Sequence, residues 1–366
     1  MVKLKEMVKK ILDFIKRYWI FIVLAAVASG LLILRLNQRG KPPFPGAQPT
    51  PTPKISLIRP KIPGITIPFE TKVTMTDFSF PSQLKIYQGK ESQLSTNQAT
   101  KIAKDFNFSG SASKSEDVFL GTFYTWSSKT NFLSIAIDSN KIEYGLDLYQ
   151  TQVSNQGSIP SPEEAKKTLE NLLDKLGLKP EFEPKWQKEE YLVQGYYFQP
   201  VTNQNEADFV KIGFNPAVGQ HQLVGLNPNE PLVSLILGKG GEIIRFQYQI
   251  YFANFEGQET YDLKTKETVQ TTLTTEGRIV YAGTLEKTTQ EPKITRAEFN
   301  QVRLAYFQEP EKNSVIQPIY ILSGQGTLEN GETTKIIAYL PAIKFGSQTP
   351  QTPEAPREFF QLPELP

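Results

Sequence analysis

Residues 18–36 form a nearly unbroken apolar run, from Tyr18 to Leu36, interrupted only by Ser29, Gly30 and Arg35. A helix of about 20 such residues crosses a bilayer once, so the run is expected to be a transmembrane anchor. Ala26-Val27-Ala28 looks like a signal-peptide cleavage site, yet the run continues through Leu31, Leu32, Ile33 and Leu34, where a mature N-terminus would be polar. The expectation is an uncleaved anchor. Ahead of it, Lys3, Lys5, Lys9, Lys10, Lys16 and Arg17 oppose only Glu6 and Asp13, a net charge of +4. Basic flanks stay on the cytoplasmic side. The expected location is therefore the bacterial cell membrane, single-pass, with the N-terminus cytoplasmic and the C-terminal bulk extracytoplasmic.

The whole 366-residue chain carries +2, so the part beyond residue 17 carries −2. Such a balance offers no field for grasping phosphate backbones, and nucleic acid is excluded as an expected partner. Cysteine is absent, so the outer part owes nothing to disulfides.

Within residues 1–17, Leu4, Met7, Val8, Ile11, Leu12 and Ile15 fall at helical spacing opposite the lysines, which suits a helix on the inner leaflet. Residues 37–64 are proline-rich and read as a semi-rigid spacer. The first folded stretch, 65–155, holds the capping box Ser95-Thr96-Asn97-Gln98 ahead of Ala99, Ile102, Ala103 and Phe106. Strand signals follow at Val118–Trp126, at Leu133, Ile135 and Ile137, and at Ile142, Tyr144, Leu146 and Leu148, with Asp138-Ser139-Asn140 as a turn.

The pattern recurs over 156–228. Ser161-Pro162-Glu163-Glu164 is a stronger capping box, Ala165, Leu169, Leu172, Leu173 and Leu176 form an apolar face, and Gly177 ends the helix. Strands are expected at 191–201 and 209–214. A C-terminal β-rich stretch, 229–344, opens with a hairpin turning at Lys239-Gly240-Gly241. It continues with a threonine-rich helix over Thr265–Thr275, strands near 278–285, 316–328 and 333–343, and a tight turn at Asn330-Gly331. Periodicity leaves 299–308 open between strand and helix. Residues 345–366 return to Pro, Gln and Thr and read as a disordered tail. The expected fold class is α+β: a single N-terminal transmembrane helix, then tandem modules of a helix packed on an antiparallel β-meander.

The recurring capped helix and meander resembles small extracytoplasmic PepSY-type modules. The last block is similar to the C-terminal part of YycH/YycI-type proteins, through Lys264–Thr275, Val302-Arg303-Leu304-Ala305-Tyr306-Phe307, Pro318-Ile319-Tyr320 and Ile337-Ala338-Tyr339-Leu340-Pro341-Ala342. The resemblance covers the anchor and residues 230 to 343. It implies a membrane-anchored outer domain that regulates a membrane sensor kinase through protein contacts. It carries over no catalytic residue.

Chemistry-bearing patterns are sparse. His221 is the single histidine, lies in a Gly-Gln-His-Gln stretch and has no nucleophile motif beside it. Ser111-Ala112-Ser113-Lys114 fits Ser-x-x-Lys, but the Ser-x-Asn and Lys-Thr-Gly elements of that chemistry are missing. Lys239-Gly240-Gly241 lacks the spacing of a phosphate loop. Glu189 and Glu190 point to opposite faces if on a strand. Asn107-Phe108-Ser109 is a glycosylation sequon only in a eukaryotic host. Trp126, Trp186, Tyr191, Tyr196, Tyr197, Tyr248 and Tyr251 suit either half-buried strands or a stacking surface, with core favoured. No catalytic, cofactor-binding or metal-ligating residue is assigned, and no cofactor is expected. The expected role is non-enzymatic binding or regulation of an envelope protein partner, with a carboxylate enzyme or a structural envelope component as alternatives.

Overall fold

A computed structural model of the chain describes residues 57–345, apart from 75–77, 92, 119, 152–155, 180, 195–197, 284–292 and 310–314. The chain divides into two compact units, Met1–Ile58 and Arg59–Pro366. The second unit carries all of the described strands and helices. The basic segment 1–17 and the apolar run 18–36 lie outside the described residues, as do residues 37–56 of the spacer and the tail beyond 345.

In chain order the unit begins with β1 (Ile65–Thr66), β2 (Glu70–Val73), β3 (Gln83–Glu91) and helix α1 (Thr96–Asp105), followed by β4 (Ser113–Asp117), β5 (Gly121–Ser127), β6 (Asn131–Ala136) and β7 (Lys141–Leu146). Helix α2 (Pro162–Leu176) precedes β8 (Pro184–Val193), β9 (Gln199–Val201), β10 (Phe209–Val218), β11 (His221–Val224), β12 (Val233–Leu237) and β13 (Ile243–Gln249). Then come β14 (Phe252–Asp262), α3 (Lys266–Glu276), β15 (Arg278–Ala282), β16 (Ile294–Phe307), β17 (Val315–Leu328) and β18 (Thr333–Pro341).

Both leading helices start where the sequence places caps. Ser95 and Ser161 each accept from the amide three residues on, while Gln98 and Glu164 accept from the cap amides at 2.8 Å. Gly177 closes α2 at φ 71°, in the left-handed region a glycine adopts without a Cβ clash. Ala99, Ile102 and Ala103 of α1 and Ala165, Leu169, Leu173 and Leu176 of α2 are buried in one shared core.

That core lies on a nine-stranded antiparallel sheet ordered β4-β5-β6-β7-β13-β12-β10-β8-β9. The central seam is β7 against β13, with Tyr144 opposite Phe246. Phe106, at the end of α1, stacks on Tyr144 at 4.5 Å and leans on Phe246 at 5.9 Å, so one aromatic ties the helix to both strands of the seam. Lys175 of α2 reaches Asp105 at 3.5 Å and joins the two helices.

A second sheet runs β1-β15-β18-β17-β16, all antiparallel, and β16 takes β2 and β11 as parallel neighbours at separate places along its length. Its core holds Ala305, Phe307, Ile319, Ile321 and Tyr339, and α3 packs on β18. The β10–β11 hairpin connects the two sheets, and the β3–β14 pair attaches through β3 to β17. All eighteen strands are thereby linked in one mixed sheet.

This overturns the expected fold class. The described residues are 51% strand and 16% helix, a mostly-β architecture rather than an α+β one. Tandem modules of a helix on its own meander are replaced by shared ladders, because β7 pairs with β13 and β3 pairs with β14 and β17. A strand edge left open by one stretch is closed by another far along the chain, which local periodicity does not report. The expectation of a single-pass membrane protein also loses support. Among the described residues no helix is long and apolar enough to cross a membrane, and the span expected at 18–36 is not among them.

Local expectations are corrected too. Val118–Trp126 is not one strand, since Val118 sits 94% exposed in the turn between β4 and β5. Residues 299–308, left open between helix and strand, run extended to Phe307 as part of β16.

Candidate functional site

Among the described residues the longest strand with a single ladder neighbour is β14. Its sequence, Phe-Ala-Asn-Phe-Glu-Gly-Gln-Glu-Thr-Tyr-Asp, is too polar to announce a strand, and β3, some 170 residues earlier, supplies its ladder. Two irregularities in register, between Phe252 and Asn254 and between Gly257 and Thr260, bend it.

Each end is anchored. Phe252 is buried and meets Phe255 edge-on at 6.0 Å, and Phe255 stacks on Phe182 at 4.5 Å. Gly89 in β3 makes room for this packing, because a Cβ there would lie 2.3 Å from the Phe252 ring. At the far end Leu263 is buried, its amide donates to the Ser82 carbonyl at 2.8 Å, and Gln83 donates to the Asp262 carboxylate at 2.6 Å.

Between the anchors β14 has one ladder neighbour among the described residues, β3. Asn254, Glu256, Glu259 and Thr260 are exposed. The parity of the strand fixes which backbone groups face outward. Leu263 donates toward β3, so Thr260 and Asp262 present N–H and C=O to the opposite side. On that side lies the chain leaving β18: Leu263 bridges Ile343, Lys264 donates its amide to Ala342 at 2.8 Å, and the Lys344 amide donates to the Asp262 carbonyl at 2.9 Å.

The exit is clamped by buried charge. Lys264 is 4% exposed, with its ammonium 2.9 Å from the Glu276 carboxylate and donating to the carbonyls of Pro341 and Ile343. Burial holds its pKa below the usual lysine value, against the opposing pull of Glu276. Arg59 reaches the same carboxylate at 3.3 Å, and both cations lie over the Phe345 ring, at 5.4 Å for Arg59 and 5.9 Å for Lys264. Tyr320 donates its hydroxyl to the Lys264 carbonyl at 2.9 Å. One carboxylate therefore holds together the start of the unit and its last described residues.

The residues singled out from the sequence lie elsewhere. His221 opens β11, half-buried 6.1 Å from the Tyr306 ring, and burial lowers its pKa. Ser111 and Lys114 are exposed at and just before β4. Lys239-Gly240-Gly241 forms the turn between β12 and β13, with the Gly240 amide on the Ser158 carbonyl. Glu189 pairs with Lys166 of α2 at 2.7 Å, while its neighbour Glu190 pairs with Lys188 at 2.8 Å. Asn107, at φ 64°, makes the turn out of α1.

The described aromatics of this set are buried or half-buried. Trp126 and Tyr248 are buried, Trp186 packs edge-on to Phe214 beneath Lys166, and Tyr191 is half-buried. Tyr196 and Tyr197 lie outside the described residues. Tyr251 lines a recess of about 220 Å³ with Leu226, Glu230, Gln247 and Gln308, and burial pushes its hydroxyl up to about 12. A shallower recess of about 370 Å³ lies at Asn300, Gln301, Gly324 and Lys335. Among the described residues no three His, Asp or Glu gather as a metal site would need.

No family model matches the chain, and no curated protein matches it. Among solved structures, an uncharacterized protein from Eubacterium rectale ATCC 33656 aligns over 77% of this chain and 92% of its own, at 14% identity and a TM-score of 0.45. A likeness that slight bears on neither fold nor role.

Proposed function

We propose that the chain is a non-enzymatic binding or regulatory protein of the bacterial cell envelope, acting on the extracytoplasmic side through contacts with a protein partner. The observation that carries this reading is the eleven-residue strand β14, with β3 as its one ladder neighbour among the described residues. An exposed strand edge is a template for an extended segment of another protein, which gains main-chain hydrogen bonds by joining the ladder. Packed aromatics at one end and a buried charge cluster at the other hold β14 in place before any partner arrives, which lowers the ordering cost of binding. The resemblance of residues 230 to 343 to regulators of membrane sensor kinases supports a membrane sensor protein as the partner class.

Site-specific photo-crosslinking in the native membranes tests this. A crosslinker at Asn254 or Glu256 should trap a discrete protein that is not trapped from Lys101 or Glu170, on the exposed faces of the two helices. Equal capture from all four positions, or none from β14, would reject the reading.

A further inference from the structure

We infer that the chain pairs with a second copy of itself along β4, an edge of the nine-stranded sheet, in the register that sets Lys114 opposite Glu116. Among the described residues β4 has β5 as its single ladder neighbour, and Ser113, Lys114, Ser115 and Glu116 are exposed. The bonds of β5 show which backbone groups of β4 are left over. Thr122 donates its amide to the Asp138 carboxylate at 2.8 Å and accepts from the Ile137 amide at 3.0 Å, while Ser128 donates to the Asn131 carbonyl at 2.8 Å. The even-numbered residues of β5 thus turn toward β6 and the odd-numbered ones toward β4. Those meet Ser113, Ser115 and Asp117, so Lys114 and Glu116 present N–H and C=O outward.

Charge selects the register. Outward groups bond only to outward groups, so two antiparallel copies of β4 overlap best when the pairing centres on Lys114, on Ser115 or on Glu116. The first sets lysine against lysine and the last glutamate against glutamate. The middle one pairs each Lys114 with Glu116 of the other copy, through both backbone bonds and opposite charge, and puts Ser115 on the two-fold axis. Charges on an edge strand ordinarily block association. Here they leave one register open. The far edge of the sheet is closed to such pairing, because Leu192 accepts from the Asp208 amide, so Pro200 across from it on β9 faces outward without an N–H. A head-to-tail stack of β4 on β9 is thereby disfavoured, and the contact closes as a two-fold dimer. β14 plays no part in it, so the dimer stands apart from any partner taken there.

Disulfide trapping of the full-length chain tests this, because the sequence has no cysteine to interfere. In the dimer Ser115 meets its own copy in a non-hydrogen-bonded pair, with Cα atoms about 4.5 Å apart, inside the range a disulfide spans. The two copies of Ser113 lie about 13 Å apart in the same register. Under mild oxidation Ser115→Cys should give a covalent dimer, and Ser113→Cys about tenfold less of it. Lys114→Glu added to Ser115→Cys sets acid against acid and should cut the yield about fivefold or more, and Glu116→Lys added to both should restore it. Equal yields from Ser113→Cys and Ser115→Cys, or no dimer from either, would overturn the inference. So would a yield that ignores Lys114→Glu, or one that the double charge reversal does not restore.

Discussion

Tyr306 in β16 donates its hydroxyl to the backbone carbonyl of Lys85 in β3 at 2.7 Å, across 221 residues of sequence. The bond fixes β3, and through β3 it fixes β14. Tyr320 and Tyr339 do the same at the Lys264 and Gly225 carbonyls, at 2.9 and 3.0 Å. With Tyr248 and Tyr251 these make five hydroxyls whose burial raises their pKa above the ordinary value of 10.0.

A raised folded-state pKa means that unfolded tyrosines ionise first. Stability from these groups is complete below about pH 10 and is lost as the pH climbs toward the folded values. Lys264 works in the opposite sense, since its lowered pKa makes its own contribution improve as pH rises toward 10.5. Five groups outweigh one. Melts at pH 9 and pH 11 should show a clear loss at the higher pH. Absorbance at 295 nm should show these tyrosinates forming together with unfolding, and smooth ionisation of all tyrosines in a still-folded protein would contradict the assignment.

Leu169 is fully buried in α2, whereas Lys167 is exposed on its outer side. Leu169→Ala should cost about 2–5 kcal/mol. Lys167→Ala should stay within about 0.5 kcal/mol. Denaturant melts compare the two, and equal small effects would mean that α2 does not seal the core.

The clamp at Glu276 gives a third expectation. Glu276→Gln leaves the Lys264 ammonium buried without its counter-charge, a loss of about 3–5 kcal/mol. Adding Lys264→Met to that variant should recover part of the loss, because the stranded charge is then gone. A double variant less stable than Glu276→Gln alone would show that Lys264 contributes mainly through its carbonyl contacts.

Much of this architecture was legible where the signal is local. Ser95, Ser161, Gly177 and the Asn330-Gly331 turn act on neighbours within a few residues, and each lies where the sequence placed it. The fold class was not legible, because β7 meets β13 and β3 meets β14 across stretches that no periodicity spans. The candidate site was missed for a related reason. Only Phe252 of β14 is buried, so alternation in burial is nearly absent, and its strand character depends on β3. Gly89 was the one available hint, since a glycine inside a strand marks a close approach.

That glycine supplies a fourth expectation. Gly89→Ala drives a methyl into the Phe252 ring and should destabilise the β3–β14 pair by about 1–3 kcal/mol. Amide exchange should quicken in β14 while the nine-stranded sheet keeps its protection. Uniform loss across both would mean that β14 unfolds only with the whole unit.

The central claim, that a partner joins the backbone edge of β14, is tested most directly at Thr260, whose amide faces outward. Proline is tolerated on an edge strand where the N–H points to solvent, so Thr260→Pro should fold while losing the donor a partner needs. Thr260→Val keeps the amide and changes only the side chain. Capture of the crosslinked partner from native membranes should fall about tenfold or more with Thr260→Pro, the equivalent of about 1.4 kcal/mol. It should remain near the parent level with Thr260→Val. Undiminished capture by a folded Thr260→Pro protein would contradict the account.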